Sequence, residues 1–276
     1  MSRILSADQI DRFGTDGILL PLGPAYDRDE IDSIRIGISD LMELLEPGET
    51  TKEIREWHES SRFLFDICMN EKILDYVEDL IGPDFFLWAS NFFIKEPRTV
   101  ETVAWHQDAF YWPMEPAESV TVWLAIDDVD ESNGAMVVIP GTHQRGMVDH
   151  ERLDENSDSV LGLGIDPANL NDSRGVSVNL PAGWFSIHDD KLVHGSPANS
   201  SDRRRAGFTI RYSPSRVKND MSVNSNFLAY LCRGQDKYHH NPEGQIPTKR
   251  MGRLHREYES KDEQGTDEER VDSKPS

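Results

Sequence analysis

Cysteine is scarce in this 276-residue chain: there are two, Cys68 and Cys232. They have no Cys-x-x-Cys spacing and sit in apolar settings, which reads as reduced, packed thiols of a cytoplasmic protein. Positive charge is also short, with 29 Lys and Arg against 50 Asp and Glu, a net charge of −21 and a pI near 4.7. Such a surface repels nucleic acid and anionic membranes, so neither is expected as a partner. No apolar run approaches the ~18 residues that a membrane helix needs. The start, Met1 to Leu5, lacks the apolar core of a signal peptide. No internal repeat is visible. What is present is core material, 37% hydrophobic and 9% aromatic residues.

The chain changes texture along its length. Ser6 caps a short helix, and Asp16-Gly17 turns into a strand at Ile18 to Pro21. From Asp27 to Leu45, Ile31, Ile34, Ile38, Leu41 and Leu45 recur at spacings of three and four, which predicts a long amphipathic helix stopped by Pro47-Gly48. Further helices are expected over Phe63 to Met69 and Glu71 to Ile81, the latter ended by Gly82-Pro83. Aromatic and β-branched residues then take over. Strands are expected at Phe85–Lys95, Ala104–Asp108, Ser119–Asp127, Ala135–Ile139, Val176–Leu180, Trp184–His188 and Ala206–Tyr212. Asn133-Gly134, Pro140-Gly141 and Pro181-Ala182-Gly183 mark turns between them. Many short strands so punctuated suggest a jelly roll. The polar stretch from Gly146 to Gly175 reads as a long functional loop of the kind that serves as a lid. Asn226 to Leu231 reads as a short element over the barrel edge. One domain is expected over 1–258: a helical layer to about 83, a jelly-roll core over about 84–215 and an extension to about 258. Residues 259–276 read as a disordered acidic tail.

The chemistry centres on Trp105-His106-Gln107-Asp108. Residues two apart on an extended backbone point to one side, so His106 and Asp108 can share a metal ion. His194, in Leu192-Val193-His194-Gly195-Ser196, is the best third ligand. Two His and one carboxylate form the facial triad of non-haem Fe(II) sites, with open positions left over. Eleven residues beyond His194, Arg205 opens a strand on which Arg205, Gly207, Thr209 and Arg211 share one face. A buried Arg is costly unless it meets an anion, and its planar fork suits a carboxylate. That suggests a dicarboxylate cosubstrate. The competing readings are a surface Arg205 in a basic turn, or Arg211 as the inward residue.

Four ordered stretches carry a family resemblance: Trp105 to Trp112, Asn133 to His143, His194 to Ser201, and Arg205. The chain resembles the phytanoyl-CoA dioxygenase family of Fe(II)- and 2-oxoglutarate-dependent oxygenases, over roughly Leu5 to Tyr212. The resemblance implies a mainly β, cupin-like double-stranded β-helix with an N-terminal helical layer. It implies iron ligation by His106, Asp108 and His194, and pairing of Arg205 with the far carboxylate of 2-oxoglutarate. Ser196, Trp123 and Asn91 match positions that assist the cosubstrate. O₂ is the remaining reactant, and succinate and CO₂ the products. Related halogenases replace the acid with a small residue, so Asp108 implies hydroxylation. One departure is Gly183-Trp184, where many relatives have Gly-Asp.

The substrate is less determined. Phe110, Tyr111 and Trp112 could form an aromatic wall near the metal, and Lys95 and Arg98 are available for an anionic group. A small amine or aminophosphonate-like molecule is the expected substrate class. Plain core packing is the competing reading of those aromatics and of Trp123. His143 reads as a turn residue and His188 as strand-associated, off the family spacing. A metal protein of the same fold without oxygenase activity, an isomerase or binding module, is the rival function. The sequence sets no oligomeric state.

Overall fold

The computed structural model describes residues 4–154, 156–170 and 175–256. The stretch read as an acidic tail, 259–276, lies outside them. The helices start where side chains satisfy the first free N–H groups. Ser6 accepts from the Gln9 N–H and Gln9 accepts from the Ser6 N–H, opening α1 (Ala7–Asp16). Asp27 and Glu30 make the same exchange before α2 (Arg28–Met42). α3 spans Arg62–Cys68, and α4 spans Glu71–Ile81 behind an Asn70 cap. α2 stops short of the expected Leu45. The Leu44 and Leu45 N–H groups bond to the Leu41 and Met42 carbonyls, so the last turn tightens and leaves the α pattern. No helix among the described residues is long and apolar enough to cross a membrane.

Among the described residues there are fourteen strands, numbered in chain order. The first eight are β1 (Ile18–Leu22), β2 (Phe85–Lys95), β3 (Val103–His106), β4 (Met114–Glu115), β5 (Val120–Ala125), β6 (Val137–Val138), β7 (Glu151–Arg152) and β8 (Leu163–Gly164). After the short helix α5 (Pro167–Leu170) come β9 (Val176–Ser177), β10 (Phe185–Asp189), β11 (His194–Ser196), β12 (Arg205–Pro214), β13 (Lys218–Asn219) and β14 (Tyr230–Arg233). They build an antiparallel six-stranded sheet, β1-β10-β5-β12-β2-β14, and a four-stranded sheet, β3-β11-β6-β9. This is the jelly-roll core that the sequence predicts. Tyr230–Arg233 lies at the sheet edge, starting four residues and ending two residues beyond the expected bounds of that element.

The period-two alternation decides which face of the large sheet is apolar. Val120, Val122 and Leu124 of β5 join Phe208, Ile210 and Tyr212 of β12 and Ile187 of β10 in one core. Ile31, Ile34, Ile38 and Leu41 of α2 and Ile73, Leu74 and Val77 of α4 complete it. Each such side chain, fully buried, contributes roughly 1.5–3 kcal/mol. The helical layer therefore covers the outer face, and the remaining face, carrying Thr121, Trp123, Thr209 and His188, lines a cavity toward the small sheet.

Several expected strands are shorter. Val137–Val138 and Val176–Ser177 replace the five-residue runs predicted there. Neither is a free-standing element; each exists by pairing within the small sheet. The expected loop from Gly146 holds the paired strands β7 and β8 and the helix α5 among its described residues. Leu163, Ile165 and Leu170 of this stretch are buried, and the Ile165 N–H bonds to the Trp105 carbonyl.

Candidate active site

His106 closes β3, but Asp108 lies beyond it, at the start of a short 3₁₀ turn over Asp108–Phe110. Gln107 keeps extended dihedrals, φ −116° and ψ 127°, so the two-residue alternation survives the end of the strand. His194 follows β10 and a short turn. It opens β11, directly opposite His106 in the β3–β11 ladder. His106, Asp108 and His194 thus bring one ligand atom each to within 4.8 Å of one another.

The two imidazoles are set in the same way. His106 Nδ1 lies 2.9 Å from the Ala104 carbonyl and His194 Nδ1 lies 2.9 Å from the Leu192 carbonyl. Donation at Nδ1 leaves the Nε2 lone pair for a metal, and fixes the ring. The Nε2 atoms lie 3.5 and 3.9 Å from Asp108 Oδ1. Burial and the neighbouring His106 hold the His194 imidazole well below its ordinary pKa, in the neutral, ligating form. Burial would raise the Asp108 carboxyl. The His106 and His188 contacts and the Arg211 charge outweigh that and hold it well below the usual range. Two imidazoles and a carboxylate are the donor set of a non-haem Fe(II) centre, so these residues fit that metal.

The large sheet supplies the floor in register. One row across it is His188, Thr121 and Arg211. Thr121 Oγ1 donates to Asp108 Oδ2 at 3.1 Å, and His188 Nε2 lies 3.8 Å from the same oxygen. The next row is Ser186, Trp123, Thr209 and Asn91. Gly207 faces the cavity one step further on. A Cβ there would fall 2.0 Å from the Trp123 ring, so the bare backbone is what lets the indole lie against β12.

Arg205 is 2% exposed, and its guanidinium lies 5.6 Å from the Trp123 centroid. Burial pushes its pKa down to about 10. Its Nε has no partner, and the Ser196 hydroxyl on the cavity wall has none either. Lys95 faces Arg205 across the β2–β12 ladder and donates to the Ser196 and Pro197 carbonyls. Burial and the Arg205 charge push it down to about 7.

The innermost cavity, about 40 Å³, is lined by His106, Asp108, His194, Trp123, Ser196 and Arg205. The expected site residues therefore meet, with one exception on the cosubstrate side. Asn91 lines the two flanking chambers rather than the innermost one. With its amide oxygen facing Arg211, that oxygen accepts from Nη1 at 2.8 Å. Among the substrate residues, Tyr111 and Trp112 line a chamber beside Arg211, and Lys95 lines one beside Arg205. Phe110 lines neither; it stacks on His150 at 3.9 Å between centroids, the packing reading of that aromatic.

From the sequence, Thr121, His188 and Gln107 have no role near the metal triad, and Arg211 is only an alternative to Arg205. Thr121, His188 and Arg211 reach it through sheet register, and period-two alternation was their only signal. Gln107 is fully buried and binds the Gly146 and Lys191 carbonyls and the Val148 N–H, tying the following loop to the metal motif.

Comparison with known proteins agrees with this geometry. The family description Phytanoyl-CoA dioxygenase (PhyH) matches residues 27–207. A probable alpha-ketoglutarate-dependent hypophosphite dioxygenase of Stutzerimonas stutzeri is 31% identical over 172 residues, covering 60% of this chain and 59% of that protein. The peroxisomal phytanoyl-CoA dioxygenase of Bos taurus is 28% identical over 173 residues, covering 60% of this chain and 51% of that one. This chain thus spans between half and three fifths of the length of these curated relatives. Among solved structures, the non-heme monooxygenase ThoJ in its apo form superposes with a TM-score of 0.70 at 28% identity, over 88% of this chain and 89% of that chain.

Proposed function

Because the chain belongs to the phytanoyl-CoA dioxygenase family, we propose that it is an Fe(II)- and 2-oxoglutarate-dependent dioxygenase that hydroxylates a C–H bond of a small molecule. The observation that carries this is the cluster of His106, Asp108 and His194 in one cavity with a buried Arg205 that pairs with no carboxylate among the described residues. Bound iron supplies the oxygen chemistry, coupling the conversion of 2-oxoglutarate to succinate and CO₂ with insertion of one oxygen atom into the substrate.

The chain's own residues do the rest. His106 and His194 hold the metal through Nε2, with their Nδ1 protons kept on the Ala104 and Leu192 carbonyls. Asp108 supplies the third ligand and the negative charge, and Thr121 holds its second oxygen. Arg205 pairs with the distal cosubstrate carboxylate. The Ser196 hydroxyl donates to the same group, and Trp123 walls the slot. Lys95 adds positive charge at its mouth. Asn91 acts one step removed, by orienting Arg211.

Tyr111 and Trp112 line the substrate side, and a small amine or aminophosphonate-like compound is the substrate class. A relative that acts on hypophosphite, a small oxyanion, is in keeping with a compact polar substrate. A cytoplasmic setting suits the two free cysteines. A non-oxygenase metal protein of the same fold would have no use for a buried cation such as Arg205. The deciding experiment is succinate release from Fe(II)-loaded protein and 2-oxoglutarate across small amines, phosphonates, amino acids and acyl-CoA thioesters. No succinate under any of these conditions, with metal bound, sinks the oxygenase reading.

A further inference from the structure

Arg211 is a second buried cation on the cavity face of β12, 7% exposed and six residues from Arg205. Both line the innermost cavity, but six residues of strand, roughly 20 Å, lie between them, and Arg205 also opens onto one flanking chamber and Arg211 onto the other. No carboxylate of the described residues lies within 4.0 Å of the Arg211 guanidinium. Asn91 accepts from its Nη1, but a neutral amide leaves the charge uncancelled. Asp108 is the nearest ligand-bearing acid, and a divalent metal claims its charge. Arg205 and the metal between them match the two carboxylates of the cosubstrate. Arg211 is then a cation with no acid in direct ion-pair contact among the described residues: Glu56, the acid on the lining of the adjoining chamber, acts on it only from a distance and is paired with Arg256.

The chamber beside it, about 290 Å³, is built for an acceptor. Trp88 and Trp112 meet edge to face at 4.7 Å between centroids. The Arg211 guanidinium lies 4.9 Å from the Trp112 centroid and 6.0 Å from that of Trp88. Two buried donors of this lining, Arg211 Nε and Trp88 Nε1, have no hydrogen-bond partner. Leaving a buried donor unmet is destabilising, more so for a charged one. Asn219 Oδ1, on the same lining, is an unpartnered acceptor that suits a hydroxyl or amino hydrogen elsewhere on the ligand.

We propose that Arg211 is a specificity-determining residue: it binds an oxyanion, carboxylate or phosphonate, carried by the substrate, in the chamber walled by Trp88 and Trp112. This rests on the oxygenase reading above and narrows its substrate to anionic or zwitterionic small molecules. The guanidinium fork takes two oxygens of the head group, and the indoles exclude water from the pair.

The test is tryptophan fluorescence and calorimetric titration of the anaerobic Fe(II)- and 2-oxoglutarate-loaded protein with methylphosphonate, propionate and neutral propionamide. The anions bind saturably and the amide does not; the tighter of the two anions identifies the head group. Arg211→Gln weakens anion binding by about 30-fold or more, with iron content unchanged and 2-oxoglutarate affinity within twofold. Arg211→Lys, which keeps the charge without the fork, recovers part of it and guards against a folding defect. Binding of neither anion by the wild type, equal binding of propionamide, or unchanged affinity in Arg211→Gln overturns the proposal. So does loss of 2-oxoglutarate binding in Arg211→Gln, which would make Arg211 the cosubstrate anchor. Titration needs no turnover, so an absence of succinate in all assays would defeat the oxygenase reading while leaving this result standing.

Discussion

Arg205 and Lys95 stand directly opposite each other in the β2–β12 ladder, both buried, with no carboxylate in ion-pair distance of either among the described residues. Like charges opposed across a ladder destabilise it, and burial worsens the effect. A dicarboxylate cosubstrate removes that conflict. Arg205→Gln is therefore expected to raise the 2-oxoglutarate requirement by about 30-fold or more while iron binding stays within a few-fold. Initial rates of succinate formation against 2-oxoglutarate, with iron content measured in parallel, check both halves. An unchanged requirement removes Arg205 from the cosubstrate site.

Lys95 also carries a pH signature. Its pKa falls from an ordinary 10.5 to about 7 on folding. Between these values the unfolded chain binds the proton and the folded one does not. Stability of the cosubstrate-free protein is then expected to rise with pH from about 7 to about 10.5, by at most ~1.4 kcal/mol per pH unit from this group. Urea melts across that range should show the rise, and Lys95→Met should flatten it. A variant with the same slope as wild type would mean that Lys95 is not its source.

Asp108→Ala removes the one anionic ligand. Disturbing an outer partner of a metal ligand costs ~10–100-fold in affinity or activity, so the ligand itself should cost more, and hydroxylation should be lost. Thr121→Val, which deletes only the 3.1 Å bond to Asp108 Oδ2, should fall within that ~10–100-fold band. Iron retention after dialysis separates the two. Full activity in Asp108→Ala would take it out of the metal site.

Gly207 is required by Trp123 rather than by its own backbone. A methyl group there falls 2.0 Å from the indole, so Gly207→Ala must push the ring off β12. Overpacking of this kind costs ~1–3 kcal/mol. Thermal melts should record that loss, and 2-oxoglutarate affinity should drop with it, since Trp123 walls the Arg205 slot. Unchanged affinity at reduced stability would confine Trp123 to core packing.

The amino-acid sequence by itself determined the helices, the long strands and the ordered ligand set. Ser6 with Gln9 and Asp27 with Glu30 set helix starts through bonds three residues apart, and Gly82 ends α4 just as locally. Phe85–Lys95 was legible to the residue because the stretch is rich in aromatic and branched side chains and is bounded by turn signals. The order His106, Asp108, His194, Arg205 was legible because metal and carboxylate chemistry restricts residue type so tightly. What only the tertiary structure decided lies in pairing across long separations. The two-residue strands β6 and β9 exist only through their neighbours in the small sheet, so no local pattern could mark their ends. His188, Thr121 and Arg211 become one row under Asp108 through the register of β10, β5 and β12. Arg205 and Arg211 were weighed as alternatives for one inward position. Alternation puts both on the same face, and only the folded sheet shows that both reach the innermost cavity, with Arg205 opening onto one flanking chamber and Arg211 onto the other.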